Sequence, residues 1–333
     1  MNRTYAHHSR QAGVTLVELM VAMTVSLILL AGVLQIFQAN RQSYRVQEAL
    51  ARTQENGRFA IEFLTRDIRM ADFWGCTNTI GKLNNNLDST SANFIDFAAG
   101  GLDGTEGATA LAPDSLVLRS ATGNGMDVTP PTSASASSTD DVLVPGNNLQ
   151  EGDIILVSDC ESADIAQVTG NPGSGSVPHA SGTAHQPGNC ATASAGCPGN
   201  LSKVYREGSR VFRARSVTYD IRNNTTTGEP GLWRTIDGGA AQELVDGIEN
   251  LQILYGEDTD DDQTADRYVD AGNVGDMENV VSVRVAVVSR SYTDNLTGGT
   301  AQNYNIFGTQ QTPTDNRLRQ VYTATIGVRN RLN

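Results

Sequence analysis

Apolar and polar positions follow three regimes along the chain. From residue 19 to residue 37 there are nineteen positions with no charge and no proline, and Gln35 lies near the end. At about 1.5 Å per residue a helix of that length covers most of a hydrocarbon core of roughly 30 Å. The period then becomes that of a one-faced helix: Val46 and Leu50, then Phe59 with Phe63 and Ala60 with Leu64 and Ile68, recur at four-residue spacing. No proline precedes Pro113. One helix begun at Val14 is therefore expected to reach residues 74–76, with 14–37 as a membrane-spanning half and 38–75 packing on a body. Gly57 is expected to soften it locally.

Beyond residue 76 the period changes to two. Residues 114–121, 152–160, 210–221, 280–292 and 321–331 read as strands. In the last, Tyr322, Ala324, Ile326 and Val328 fall on one face, and Thr323, Thr325 and Arg329 on the other. That is the pattern of a half-buried antiparallel strand. Residues 122–139 and 168–200 are rich in Ser, Thr, Gly and Pro and read as long, mobile or functional loops. The expected class is α+β: a long N-terminal helix on an antiparallel β-rich head spanning 76–333.

Composition narrows the function. The 333 residues include 33 glycines, 39% hydrophobic and 18% charged residues, with a formal net charge of −13. Arg3 and Arg10 precede any acid, so loss of the first thirteen residues would leave −15. No Lys/Arg cluster stands against that background, which argues against nucleic-acid binding. The four cysteines, Cys76, Cys160, Cys190 and Cys197, contain no C-x-x-C pair. In an exported chain an even number favours disulfides, with three connectivities open. Cys76 with Cys160 and Cys190 with Cys197 is the expected pairing.

Glu18 heads the apolar run. A carboxylate at membrane depth costs roughly 2.5–3.5 kcal/mol on the insertion scales, so it calls for a role. A cleaved secretory signal predicts a shorter apolar core followed by a small-residue site. A plain signal anchor, with Arg3 and Arg10 keeping the N-terminus in the cytoplasm, leaves Glu18 unexplained. A leader cut between Gly13 and Val14 keeps the apolar run and places a new amine five residues from the carboxylate.

The stretch "GVTLVELMVAMTVSLIL" resembles the processing signal of type IV prepilins. Gly13, Thr15, Leu16, Glu18 and the apolar run stand in register, and Val14 occupies a position where the family usually has phenylalanine. The resemblance implies cleavage after Gly13 by a prepilin peptidase, methylation of Val14, and a Glu18 that pairs with the freed amine of a neighbouring subunit. Further on, "GDIILVSDCESADI", "ELVDGIENLQILYGED", "DRYVDA", "VVSVRVAVVSRS" and "TIGVRNRL" resemble the PilW family of minor pilins. That resemblance implies a bacterial inner-membrane protein with a periplasmic head, then a place at the pilus tip. Its expected partners are other minor pilins, the major pilin, the inner-membrane assembly platform and a tip adhesin. Pseudopilins of type II secretion, including a J-like subunit, share the plan. A membrane-tethered extracytoplasmic binding protein is the reading from a third class.

One acidic run looks like a site. Asp258, Asp260, Asp262 and Asp266 have the alternate-carboxylate rhythm of a calcium loop. Gln263 stands where the sharp-turn glycine belongs, and no glutamate stands at position twelve, so a solvated acidic turn is the other reading. For enzymology there is no H-E-x-x-H, no G-x-S-x-G and no phosphate-cradling glycine loop. His179 and His185, near Cys190 and Cys197, read as part of a disulfide-bearing loop rather than a metal site. A structural, non-enzymatic role is expected.

Overall fold

The computed structural model describes residues 13–76, 82–109, 112–133, 135–182, 185–190 and 199–332. The leader up to residue 12, and Cys197, lie outside the described residues. The chain divides into two compact units, Met1–Ala51 and Arg52–Asn333. Helix α1, Leu16–Met70, is continuous over 55 residues. Within the first unit it is exposed on every side as far as Arg45, and Val46, Ala49 and Leu50 are half-buried.

Within the second unit, α1 buries Thr53, Gly57, Ala60, Leu64 and Ile68; Ala60, Leu64 and Ile68 belong to the expected stripe, whereas Phe63 is half-buried and Phe59 is exposed. Gly57 does not soften the helix. It makes room for Tyr322, since a Cβ there would stand 2.1 Å from the tyrosine Cε2. The helix ends at Met70, earlier than residues 74–76, because Asp72 takes a left-handed conformation with φ +63°. The C-terminal tail closes that end. Asn330 Nδ2 donates to the Ala71 carbonyl at 2.8 Å, and Arg331 Nε donates to Asp72 Oδ2 at 2.5 Å. A guanidinium here also suits the negative end of the helix dipole.

The larger sheet contains β1 (Leu83–Asn85), β2 (Leu102–Thr105), β3 (Ser115–Asp127), β5 (Ile154–Ser158), β6 (Ala163–Gln167), β8 (Arg210–Asn223), β9 (Pro230–Ile236) and β10 (Gln242–Asp246). Its order is β1-β6-β5-β8-β3-β2, with β9 pairing both β8 and β10. All its pairs are antiparallel except β1 with β6. The second sheet runs β12 (Arg267–Val269), β11 (Ile248–Glu257), β13 (Val280–Arg290), β16 (Arg319–Gly327). Two small two-stranded sheets complete the head: β4 (Val142–Leu143) with β7 (Ser176–Val177), and the hairpin β14 (Tyr304–Ile306) with β15 (Thr309–Gln311).

One core joins both sheets to the helix. Ala60, Leu64 and Ile68 pack with Leu116, Tyr219, Leu251, Val283, Val285 and Ile326. Two further cores lie on β5 and β6, one around Trp74, Phe97 and Leu156, the other around Val144, Ile155 and Val177. Cys76 and Cys160 form a disulfide that ties the segment after α1 to the end of β5.

Where they are described, the two loop-like stretches contain regular and buried structure. Strand β3 continues to Asp127 through a register shift between Thr122 and Met126. In the second stretch Asn189 is buried. Its Nδ2 donates to the carbonyls of Gln167 and His179, and its Oδ1 accepts from the Gln167 amide at 2.7 Å. These long-range bonds satisfy polar groups that would be costly to bury alone.

Candidate functional site

The N-terminal junction is built from very few residues. Gly13, Val14 and Thr15 precede the helix in irregular, exposed backbone, so the bond between Gly13 and Val14 is open to an enzyme. Thr15 and Glu18 form a capping box. Glu18 N donates to Thr15 Oγ1 at 3.2 Å, while Thr15 N and Oγ1 both donate to Glu18 Oε2 at 3.1 Å. Two of the helix's otherwise unpaired amides are thereby satisfied. The spacing "TLVE" is the sequence sign of this box. Among the described residues, then, the Glu18 carboxylate has local partners but no cation.

Between Val14 and Phe37 sixteen large apolar side chains are half exposed or more. Leaving that much hydrocarbon in water costs on the order of tens of kcal/mol, so lipid or other helices must cover it. Among the described residues, α1 is the one helix long and apolar enough to cross a membrane.

The acidic run forms the connection between β11 and β12. Asp258 is buried. Its Oδ1 accepts from the amides of Asp260 and Asp262, and its Oδ2 accepts from Gln263 N at 2.7 Å. Carboxylate oxygens of Asp258, Asp260 and Asp262 converge within 4.8 Å of one another. The Asp262 charge, and then Asp266, push the Asp260 carboxyl above its ordinary range. Gln263 has φ +68°, so it adopts the left-handed turn that a glycine would supply in a calcium loop. Asp266 is not part of this group of three; its Oδ2 accepts from Thr259 N at 2.8 Å and Thr259 Oγ1 at 2.7 Å. Val269 occupies the twelfth position, where a calcium loop has its bidentate carboxylate.

His179 and His185 are not brought together as ligands. His179 Nε2 lies 3.0 Å from the Asp140 carbonyl, and His185 Nε2 lies 2.9 Å from Glu151. No described cysteine is a free thiol.

Elsewhere in the head, burial raises the Asp114 carboxyl to about 6, although it accepts from the amides of Gly107 and Ile253. Glu229, Glu249 and Asp315 meet Arg290, Arg317 and Arg319 in a partly buried network, with Arg319 held at 2.5 Å by both Glu249 and Asp315. The hydrogen bond from Arg319 holds the Asp315 carboxyl below its usual range. These groups brace β13 and β16, and no spacing in the sequence announces them.

Comparison with known families matches two parts of the chain. Residues 8–34 match the prokaryotic N-terminal methylation motif, and residues 218–330 match the family described as type IV pilus-assembly protein W, PilW. No curated protein and no solved structure matches. The first match covers the junction and the apolar half of α1; the second runs from within β8 to the Asn330 that caps its end. The chain is a type IV pilus-related, pilin-like protein with a methylation motif at its N-terminus and a PilW match over its C-terminal third.

Proposed function

We propose that the protein is a minor pilin that primes pilus assembly and joins a tip complex with other minor pilins. Its single most telling feature is the carboxylate of Glu18 at the head of an uncovered apolar helix. In this reading a prepilin peptidase cuts after Gly13, Val14 becomes the methylated N-terminus, and the helix stays in the inner membrane with its N-terminal end cytoplasmic and the head periplasmic. Helices of several subunits then gather on the assembly platform. The Val14 ammonium of one meets the Glu18 carboxylate of the next and sets their stagger before the major pilin and any adhesin are engaged. Burying a charge is tolerable when an opposite charge meets it, and removing either partner is severe.

The capping box makes this testable, because charge and cap can be separated. Gln at the third helical position still accepts at the cap but carries no charge. Glu18→Gln is expected to be processed and inserted normally, and to fall roughly a hundredfold in the filament or initiating complex. Incorporation at the wild-type level would reduce Glu18 to a helix cap and end the proposal. A deletion strain that loses secretion while keeping twitching would move the protein to a type II secretion pseudopilus, the J-like alternative.

We also propose a calcium ion for the acidic turn. Three converging carboxylates and the left-handed Gln263 suit a hard cation. The missing twelfth-position carboxylate limits affinity to about the weak extracellular range of 10⁻⁴–10⁻³ M.

A further inference from the structure

Among the described residues, the smaller sheet ends in an edge whose main chain is unpaired from Val321 onward, although Gln302 and the β14 segment pack near its start. Strand β16 pairs with β13 over nine consecutive residues without a bulge, and no described strand lies on its other side. The phase of its backbone follows from three bonds. Ser291 N donates to the Leu318 carbonyl and Val328 N to the Val281 carbonyl, whereas Arg319 N turns away and donates to Gln302 Oε1. In an antiparallel pair the main-chain groups of alternate residues point the same way. Gln320, Tyr322, Ala324 and Ile326 thus bond to β13, and the N–H and C=O groups of Val321, Thr323, Thr325 and Gly327 face outward. No main-chain hydrogen bond to those outward groups occurs among the described residues.

Natural edges of this length are ordinarily blunted by lysine, proline, a bulge or a covering segment. Between Arg319 and Gly327 there is no lysine or proline, and the Arg319 charge is turned into Glu249 and Asp315. A cavity of about 810 Å³ opens beside the edge, between Glu55, Arg58 and Phe59 of α1 and Val321 and Tyr322 of β16. Phe59 is 43% exposed there, a large apolar side chain that an added strand would cover.

We propose that the open edge of β16 accepts an extended strand from a different subunit of the same assembly, one whose head is neutral or basic. Charge selects that occupant over a second copy. From Arg52 onward the chain carries 20 Lys/Arg against 35 Asp/Glu, a net charge of −15, so two such heads edge to edge repel each other. The added strand bonds to Val321, Thr323, Thr325 and Gly327. It lays alternate apolar side chains against Phe59 and Tyr322, in the manner of β-augmentation. The proposal rests on the minor-pilin reading only for where the partner comes from.

The test uses the full chain in its own membrane, with a photo-crosslinking benzoyl-phenylalanine at position 323. Alongside it run Thr323→Pro and Thr325→Lys. Proline at 323 deletes an outward N–H that the fold does not use, and lysine at 325 blunts the edge without touching the main chain. The expected adduct joins position 323 to an extended segment of another subunit bearing its own methylation motif. Both substitutions should lower recovery of that complex roughly tenfold, with Trp fluorescence and Val14 processing unchanged. Should proline disturb the head, the lysine variant decides alone. An adduct to a second copy of this chain overturns the proposal, as does wild-type assembly of Thr325→Lys. An unprocessed Val14 with the adduct intact would instead remove the pilin reading and leave the edge standing.

Discussion

Gly57 and Tyr322 offer a perturbation whose sign should reverse with context. A methyl group at Gly57 would lie 2.1, 2.2 and 2.8 Å from three ring atoms of Tyr322. Ordinary carbon contact begins near 3.5 Å, so the ring must withdraw by about 1.4 Å. Overpacking of that kind costs about 1–3 kcal/mol. Alanine in place of a helical glycine returns about 0.5–1 kcal/mol. Gly57→Ala alone should therefore destabilise the head, by up to about 2.5 kcal/mol and by about 1 kcal/mol at mid-range. In a Tyr322→Ala background the clash is gone and the same substitution should stabilise by about 0.5–1 kcal/mol. Trp74 and Trp233 are the only tryptophans, and both lie in the second unit. Urea unfolding of the detergent-solubilised full chain, followed by tryptophan fluorescence, therefore reads the head alone. A Gly57→Ala effect of the same sign in both backgrounds would refute the packing argument and leave β16 without its bolt to the helix.

Three further outcomes follow from the geometry. Arg331→Met should cost about 3 kcal/mol in the same assay, because it removes the cation beside the nearly buried Asp72 carboxylate, whose other oxygen keeps only the Trp74 and Gly101 donors; a loss below 0.5 kcal/mol would show the clasp to be incidental. Asp114, raised to about 6, contributes stability that is full below its unfolded value near 3.8 and is lost as pH rises through about 6. Between pH 4 and pH 7.5 the wild type should thus lose about 2.4 kcal/mol relative to Asp114→Asn, and parallel stability curves would contradict this. Calorimetry should detect calcium at about millimolar affinity in wild type and none in Asp260→Asn/Asp262→Asn; an identical flat titration for both would remove the cation from the acidic turn.

Much of the architecture was legible because it rests on local periodicity. The spacing of Ala60, Leu64 and Ile68 marked the buried face of α1, and the alternation of Tyr322, Ala324 and Ile326 with Thr323 and Thr325 marked the two sides of β16. What escaped depends on partners distant in sequence. Arg331 and Asp72 meet across 259 positions, and no window along the chain contains both. Asn189 sits in a stretch whose composition suggests solvent, yet Gln167 and His179 draw it into the interior. At the acidic turn the rhythm of alternate aspartates identified the three that converge. It could not show that Thr259 claims Asp266. Glu18 carries two signals at once, a charge at the head of an apolar run and, three residues after Thr15, an acceptor for the Thr15 amide.

In the proposed assembly Glu18 meets, in lipid, an ammonium that exists only after the leader is removed. The mass of the N-terminal peptide of the protein recovered from membranes tests this most directly. A peptide beginning at Val14 and carrying one methyl group on its amine is the predicted result. A peptide that still holds Gly13 and the residues before it would contradict the account at its base.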